Sequence, residues 1–458
     1  MAKKKLLEKA IEIPAHLLEE GVEFAESKEK TIFDLGKRPF AFANKYWNSL
    51  GPGLTTGASD DDPSGIATYS QTGAKYGFRL LWLSWFTFPL MAIVQEMCAR
   101  IGVVTGRGLA ANIRHHYSKP ILYLTTFLLF AANTFNIGAD LGAMAKGAQL
   151  LVPQIGFAFL IIFFAVLSLV LQIFTTYAQY AKYLKYLALV LLAYVFSALL
   201  GGLDWKQVAL HFLIPSVHFN KDEIFLICGI LGTTISPYLF FWQTSQEVEE
   251  QNLQGKEENT WHREISEKEI NYVRADVWSG MFFSNVVMFF IIAACAGTLY
   301  THGITNITTA ADAAMALRPF AGNAAFALFA IGIVGMGLLG IPVLAGSTSY
   351  ALSESFGWKH GLNRKLKEAY AFYGIIIISM VLGIAMNFIG LDPIKALIYS
   401  AVANGIVAPV ILVLIVRMSS DEKIMHQHAN KKPVKWLGWV TVGLMSISGA
   451  AAIISMFY

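Results

Sequence analysis

Charge is scarce in this sequence. Of its 458 residues only 14% are Asp, Glu, Lys or Arg, while 55% are hydrophobic; a soluble globular chain carries charge on about a quarter of its residues. That scarcity excludes an ordinary soluble enzyme or nucleic-acid-binding protein. Cysteine is scarcer still. Cys98, Cys228 and Cys295 each lie inside an apolar stretch without metal-binding spacing, so they read as small packing residues and not as a disulfide framework. Short segments of strict apolar/polar alternation are missing, which argues against a β-barrel. The first 45 residues lack the apolar core of a cleavable signal peptide. They are mixed in charge, and residues 1–48 are expected to form a cytoplasmic tail along the membrane surface, with Lys3-Lys4-Lys5 solvated. No span contains His-Glu-x-x-His, Gly-x-Gly-Asp or Gly-x-Ser-x-Gly. An intramembrane enzyme is therefore not expected, nor a bound cofactor, a nucleic-acid partner or an obligate protein partner.

What the chain has instead is apolar blocks of about 20 residues, the length that carries a helix across a bilayer. Eleven spans are expected, near 51–73, 79–103, 120–151, 155–175, 183–202, 224–246, 277–300, 322–350, 369–389, 394–417 and 436–457. The reading is an all-α polytopic membrane protein, its partner the lipid bilayer. With the N-terminus cytoplasmic, only six of the 35 Lys and Arg fall on the outer side: Lys75, Arg79, Lys206, Lys221, Arg318 and Lys395. Lys146 lies within a span, and the rest gather inside, as the positive-inside rule requires. A multi-pass protein of the plasma (inner) membrane with its C-terminus outside is expected.

Two spans are interrupted alike. The first reads from Gly51-Pro52-Gly53 to Asp60-Asp61-Asp62-Pro63-Ser64-Gly65, and the sixth reads Gly232-Thr233-Thr234-Ile235-Ser236-Pro237-Tyr238. Proline removes a backbone hydrogen bond and disfavours helix in its predecessor. Unwound backbone at that depth persists only where it lines a cavity or is buried in protein. Paired interruptions at matching points of two halves indicate a transporter's binding site. Because the sixth span is the first plus five, the 49–458 transmembrane domain divides into inverted repeats of about 49–203 and 222–418. A final helix follows at about 436–457.

Asp60-Asp61-Asp62 is the costliest feature. One charge at mid-bilayer costs roughly 2.5–3.5 kcal/mol on the gentlest scale. No Lys or Arg occurs earlier in the span to offset three carboxylates. A divalent cation would offset them, with Asp62, directly before Pro63, as the first candidate ligand and Asp60 and Asp61 as further ones.

Gly51-Pro52-Gly53, Asp62-Pro63-Ser64-Gly65, Gln71-Thr72-Gly73-Ala74, Ala99-Arg100-Ile101-Gly102 and Thr105-Gly106 together resemble the Nramp family of divalent metal transporters. The resemblance continues through the sixth-span break to Ala345-Gly346-Ser347. It implies a LeuT-type fold, a 5+5 inverted repeat with broken helices 1 and 6. The family's Asp-Pro-Gly-Asn stands here as Asp62-Pro63-Ser64-Gly65, so the aspartate is kept and the asparagine ligand becomes Gly65. Its Met-Pro-His stands as Ser236-Pro237-Tyr238, and Thr233 takes the place of a backbone-carbonyl ligand. Losing the thioether leaves an oxygen-only site, and exchanging Asn for Gly is expected to free volume. Both changes suit magnesium, a hard ion that keeps several waters. The pattern is most similar to the Nramp-related magnesium transporters; a conventional manganese carrier is the alternative.

The family's proton route uses the sixth-helix histidine and third-helix acids. Here Tyr238 replaces the histidine, and Asn136 and Ala139 occupy the acid positions. Asp140 is one residue out of register and, at about 100° per residue, is expected to face elsewhere, pairing with Lys146 or turning to the interior. Transport of Mg²⁺ or Mn²⁺ by alternating access without proton coupling is therefore expected, the metal being substrate. Ser400 and Asn404 are expected to hydrogen-bond between helices, and Glu96 and Glu354 to lie at the interface. A sodium-coupled amino-acid symporter of the same fold is the runner-up, disfavoured because three clustered acids would repel a carboxylate substrate.

Overall fold

The computed structural model describes residues 51–175, 189–218, 220–253 and 265–457. The expected tail, residues 1–48, lies outside the described residues, as does the start of the fifth expected span. The first span is two helices, α1 (Pro52–Asp60) and α2 (Pro63–Tyr76). Then come α3 (Leu83–Thr105), α4 (Leu109–His116), α5 (Lys119–Gln149), α6 (Phe157–Phe174), α7 (Leu192–Leu200) and α8 (Trp205–Leu213). The sixth span is again divided, into α9 (Lys221–Thr234) and α10 (Pro237–Leu253). The chain continues through α11 (Glu267–Thr298), α12 (Ala325–Phe356), α13 (Tyr370–Met386), α14 (Pro393–Ser419) and α15 (Lys432–Phe457).

Each expected span thus has a helical counterpart, wholly or in part, and the protein is all-helical and multi-span. Among the described residues, eight helical stretches are individually long and apolar enough to cross a bilayer. The first span falls short because its break leaves pieces of 9 and 14 residues, and α13 because it has 17. Large apolar side chains such as Phe127, Phe159, Ile162 and Phe163 are exposed on α5 and α6, as lipid-facing surfaces require. Helix α8 lay in what the sequence suggested was loop. It turns 116° from the preceding helix, and Asp204 caps it by accepting from the Lys206 and Gln207 amides.

The packing repeats with partners exchanged. Helices α1 and α2 pack on α11, and α10 packs on α3; α5 meets α13, and α12 meets α6; α5 meets α6, and α12 meets α13. The α7–α11 contact is matched by α3–α14, while α5–α12 maps onto itself. Replacing every span by the one five places away reproduces these pairs, as two-fold-related halves would.

Helix α1 owes its position to α11. The Asp276 carboxylate accepts from the Gly51 and Gly53 amides at 3.2 and 2.6 Å, so an acid from another helix fills the N-terminal donors of α1. One turn on, a Cβ at Gly57 would stand 2.3 Å from the Gly280 carbonyl. Backbones approach that closely only where side chains are absent. Gly57→Val should therefore separate the two helices, costing about 1–3 kcal/mol. The check is a thermal melt of the purified protein, where Gly57→Val should melt well below wild type while Gly443→Val, at a site open to space, should not.

Two acids expected at the interface are buried between helices. Glu96 accepts from Arg274 Nε at 3.0 Å and Trp278 Nε1 at 2.8 Å. Glu354 is also buried, accepting from the Ala111 amide at 3.0 Å and from Ser245 Oγ at 3.2 Å. Each ties neighbouring helices together with charge-assisted hydrogen bonds.

Candidate metal-binding site

The two breaks abut one another. Helix α1 stops at Asp60, and Asp61 (φ −84°, ψ 46°) leaves helical geometry before Asp62 starts α2 as its N-cap with Pro63 in the first turn. Helix α9 stops at Thr234, and Ile235 (φ −112°, ψ 59°) turns the chain into Pro237. Proline at a helix start is tolerated because its missing N–H would have no partner there. Contact between the breaks shows at Gly65, where an added Cβ would lie 3.2 Å from Thr233 Oγ1 and 3.3 Å from the Asp60 carbonyl. The C-terminal carbonyls of α1 and α9, the negative ends of their dipoles, thus meet at one buried place, an arrangement suited to a cation.

Asp62 is the centre of this arrangement and is fully buried. Its Oδ1 accepts from the Gly65 amide at 2.9 Å and from Ser64 Oγ at 2.6 Å. Its Oδ2 accepts from Asn136 Nδ2 at 3.0 Å, and the Asn136 Oδ1 accepts in turn from Ser400 Oγ at 2.7 Å. The Tyr238 hydroxyl stands 3.1 Å from the Ser59 carbonyl and 3.4 Å from Asp62 Oδ2. With one proton to give, it favours the nearer carbonyl. Ser236 Oγ lies 2.7 Å from both the Gly232 and the Thr233 carbonyls and has one proton to give between them. It fastens the end of α9, and each carbonyl retains a second lone pair.

Asp60 and Asp61 turn away from this centre toward α11, where Ser284 Oγ donates to Asp60 Oδ2 at 2.5 Å and lies 3.5 Å from Asp61 Oδ1. Among the described residues no three His, Cys, Asp or Glu side chains converge to hold an ion. The three consecutive aspartates therefore divide between two helical neighbours and do not form one cluster, because adjacent residues in a turn point in different directions.

Three further expectations need correction. Space near Gly65 is not free, since Thr233 Oγ1, the Asp60 carbonyl and the Tyr69 ring at 3.4 Å already occupy it. Asp140, expected off the Asn136 face, lies one helical turn from Asn136 on that face; it is fully buried, so of its two alternatives the interior one holds. It does not pair with Lys146, whose Nζ lies over the Phe157 ring at 4.9 Å. Ser400 does bond between helices, as expected, whereas Asn404 is buried with neither side-chain end bonded to a described residue. The missed signal for Asp140 was its i,i+4 spacing from Asn136, which outweighs an alignment offset by one.

The far ends of α2 and α9 are tied by Lys75–Asp222 at 2.6 Å and, just past α2, by Arg79–Glu223 at 2.5 Å.

A helical bundle with two apposed broken spans and a buried carboxylate between them defines a membrane transport protein of LeuT-type fold. The chain belongs to the Nramp family: residues 53–455 match the family described as natural resistance-associated macrophage protein-like. It is accordingly a member of a family of divalent-metal transporters and not an enzyme. The crystal structure of the Eremococcus coleocola manganese transporter with an aromatic bis-isothiourea compound is similar at a TM-score of 0.68 and 17% identity, covering 92% of this chain and 89% of that one. A mutant of the same transporter gives 0.67 at 16% identity, with 91% and 88% covered. Mhp1, a nucleobase-cation-symport-1 family transporter in a closed conformation, gives 0.50 at 14%, with 89% and 91% covered. At these identities the likeness is one of fold.

Proposed function

We propose that this protein moves Mg²⁺, and also Mn²⁺, across the plasma (inner) membrane by alternating access, without proton coupling and with its N-terminus cytoplasmic. What supports the reading is the chemistry of the residues at the apposed breaks. Asp62 offers a carboxylate, Thr233 and Gly232 offer carbonyls, and Ser236 offers a hydroxyl. No thioether or imidazole is among them. Soft ligands favour manganese, iron and cadmium, whereas oxygen donors favour hard ions. Mg²⁺ dehydrates reluctantly and is commonly held by one or two carboxylates plus water. The Eremococcus coleocola protein is a manganese transporter, and oxygen donors also accept manganese, so a proton-coupled manganese or iron carrier is the second reading. It is favoured by the family and disfavoured by Tyr238 and Asn136 standing where titratable groups would be needed.

Uptake into proteoliposomes tests the assignment. Millimolar Mg²⁺ should inhibit Mn²⁺ uptake, and a panel of amino acids should not. If Mg²⁺ leaves Mn²⁺ uptake untouched, the magnesium assignment fails and the manganese carrier replaces it.

Selectivity should be movable. Ser236→Met with Gly65→Asn adds a thioether and an amide, and should raise Cd²⁺ or Mn²⁺ affinity relative to Mg²⁺ by roughly tenfold, the worth of about 1.4 kcal/mol. The Gly65 substitution must push Thr233 or Tyr69 aside by a few tenths of an ångström, so some loss of thermal stability should accompany it. Competition curves of wild type and double variant for Mg²⁺ against Cd²⁺ provide the check.

A further inference from the structure

We propose that Asp140 is a second carboxylate of the ion site, holding a hydrated divalent cation opposite Asp62 through the ion's own water. This rests on the reading that Asp62 binds the cation. Asp140 is fully buried, and neither of its oxygens has a hydrogen-bond partner among the described residues. A buried carboxylate with nothing donating to it either takes up a proton or needs a positive charge beside it to stay ionised. The cation that α5 itself could offer, Lys146, is engaged with Phe157.

Direction comes from three helices. On α5, Asn136 and Asp140 share a face, and Asn136 bonds directly to Asp62 Oδ2. On α12, an added Cβ at Gly340 would stand 3.1 Å from Asp62 Cβ and 4.0 Å from Asp140 Oδ2, so both carboxylates border the same small-residue gap. On α10, the Tyr238 hydroxyl stands 3.4 Å from the same Asp62 Oδ2. Two carboxylates match the charge of one divalent ion. With the ion held directly by Asp62, the protein would contact its hydration shell on the Asp140 side. A methyl group at Gly340 would press on Asp62 Cβ and enter the space beside Asp140 Oδ2.

Calorimetric titration of the purified full-length protein with MgCl₂ tests this. Asp140→Asn should weaken Mg²⁺ binding about 10- to 100-fold, the usual effect of removing an outer-shell partner, while Asp140→Glu should recover most of it. In metal-free buffer Asp140→Asn should melt above wild type, because it removes an uncompensated buried charge, and its melting temperature should respond less to added Mg²⁺. Gly340→Ala provides a second arm, expected to weaken Mg²⁺ more than Mn²⁺ by narrowing the hydrated gap. Asp62→Asn distinguishes the two levels of inference. If Asp62→Asn abolishes binding but Asp140→Asn and Gly340→Ala titrate like wild type, Asp140 is not part of the site and the proposal is overturned. If Asp62→Asn itself titrates like wild type, the site has been misplaced and the proposal falls with it.

Discussion

Asp62→Asn should bind neither Mg²⁺ nor Mn²⁺ measurably, although the protein should fold. Two roles of one side chain have to be separated. As N-cap of α2, Asp62 accepts from the Gly65 amide, and losing such a cap costs about 0.5–2 kcal/mol. As the anionic donor between the two breaks, it supplies charge that the carbonyls of Thr233 and Gly232 lack. Removing one member of a buried ion pair costs roughly 3–5 kcal/mol, equivalent to at least two orders of magnitude in Kd. Asparagine retains an oxygen that can cap α2 but carries no charge. Asp62→Ala removes both. The expected pattern is therefore loss of binding in both variants, with a lowered melting temperature chiefly in Asp62→Ala. Wild-type affinity in a folded Asp62→Asn protein would remove this residue from the site.

Metal uptake should proceed without acidifying the vesicle interior. Tyr238 stands in the break where a histidine would titrate near neutrality, and an unperturbed phenol titrates near pH 10. Asn136 holds Asp62 by an amide that cannot take up a proton. Ala139, in the other position where the resemblance places an acid, is buried and apolar. The driving force is then the membrane potential, about 2.3 kcal/mol per charge per 100 mV, hence about twice that for a divalent ion. Proteoliposomes loaded with a pH-sensitive dye and given an inside-negative potential should show metal entry with no dye response beyond that of protein-free vesicles. Metal-dependent acidification would mean that Asp140, Asp60 or Asp61 carries protons, and the uncoupled reading would fail.

The spans and both breaks were legible because their causes are local. Apolar blocks of bilayer length and prolines among glycines at positions 63 and 237 leave the backbone few alternatives. Asp62 could be singled out for the same reason. What could not be read were relations between helices. That Asp60 and Asp61 turn to Ser284 on α11 depends on the Gly57–Gly280 approach, which joins residues more than two hundred positions apart. The room expected at Gly65 was absent because Thr233 reaches it from α9, beside Tyr69 of the next turn of α2. The burial of Glu96 and Glu354 could not be read because their partners, Arg274 and Trp278 in one case and Ala111 and Ser245 in the other, lie far along the chain. Asp140 was misplaced for a different reason: an alignment offset was weighed above the helical spacing that puts it on the face of Asn136.

The most direct measurement is Mg²⁺ entry into proteoliposomes carrying a magnesium-sensitive dye, under an inside-negative potential. Wild-type protein should give a saturable rise in internal Mg²⁺ that Asp62→Asn lacks, with Mn²⁺ competing. Mn²⁺ entry through the same vesicles with no entry of Mg²⁺ at any external concentration would contradict the account.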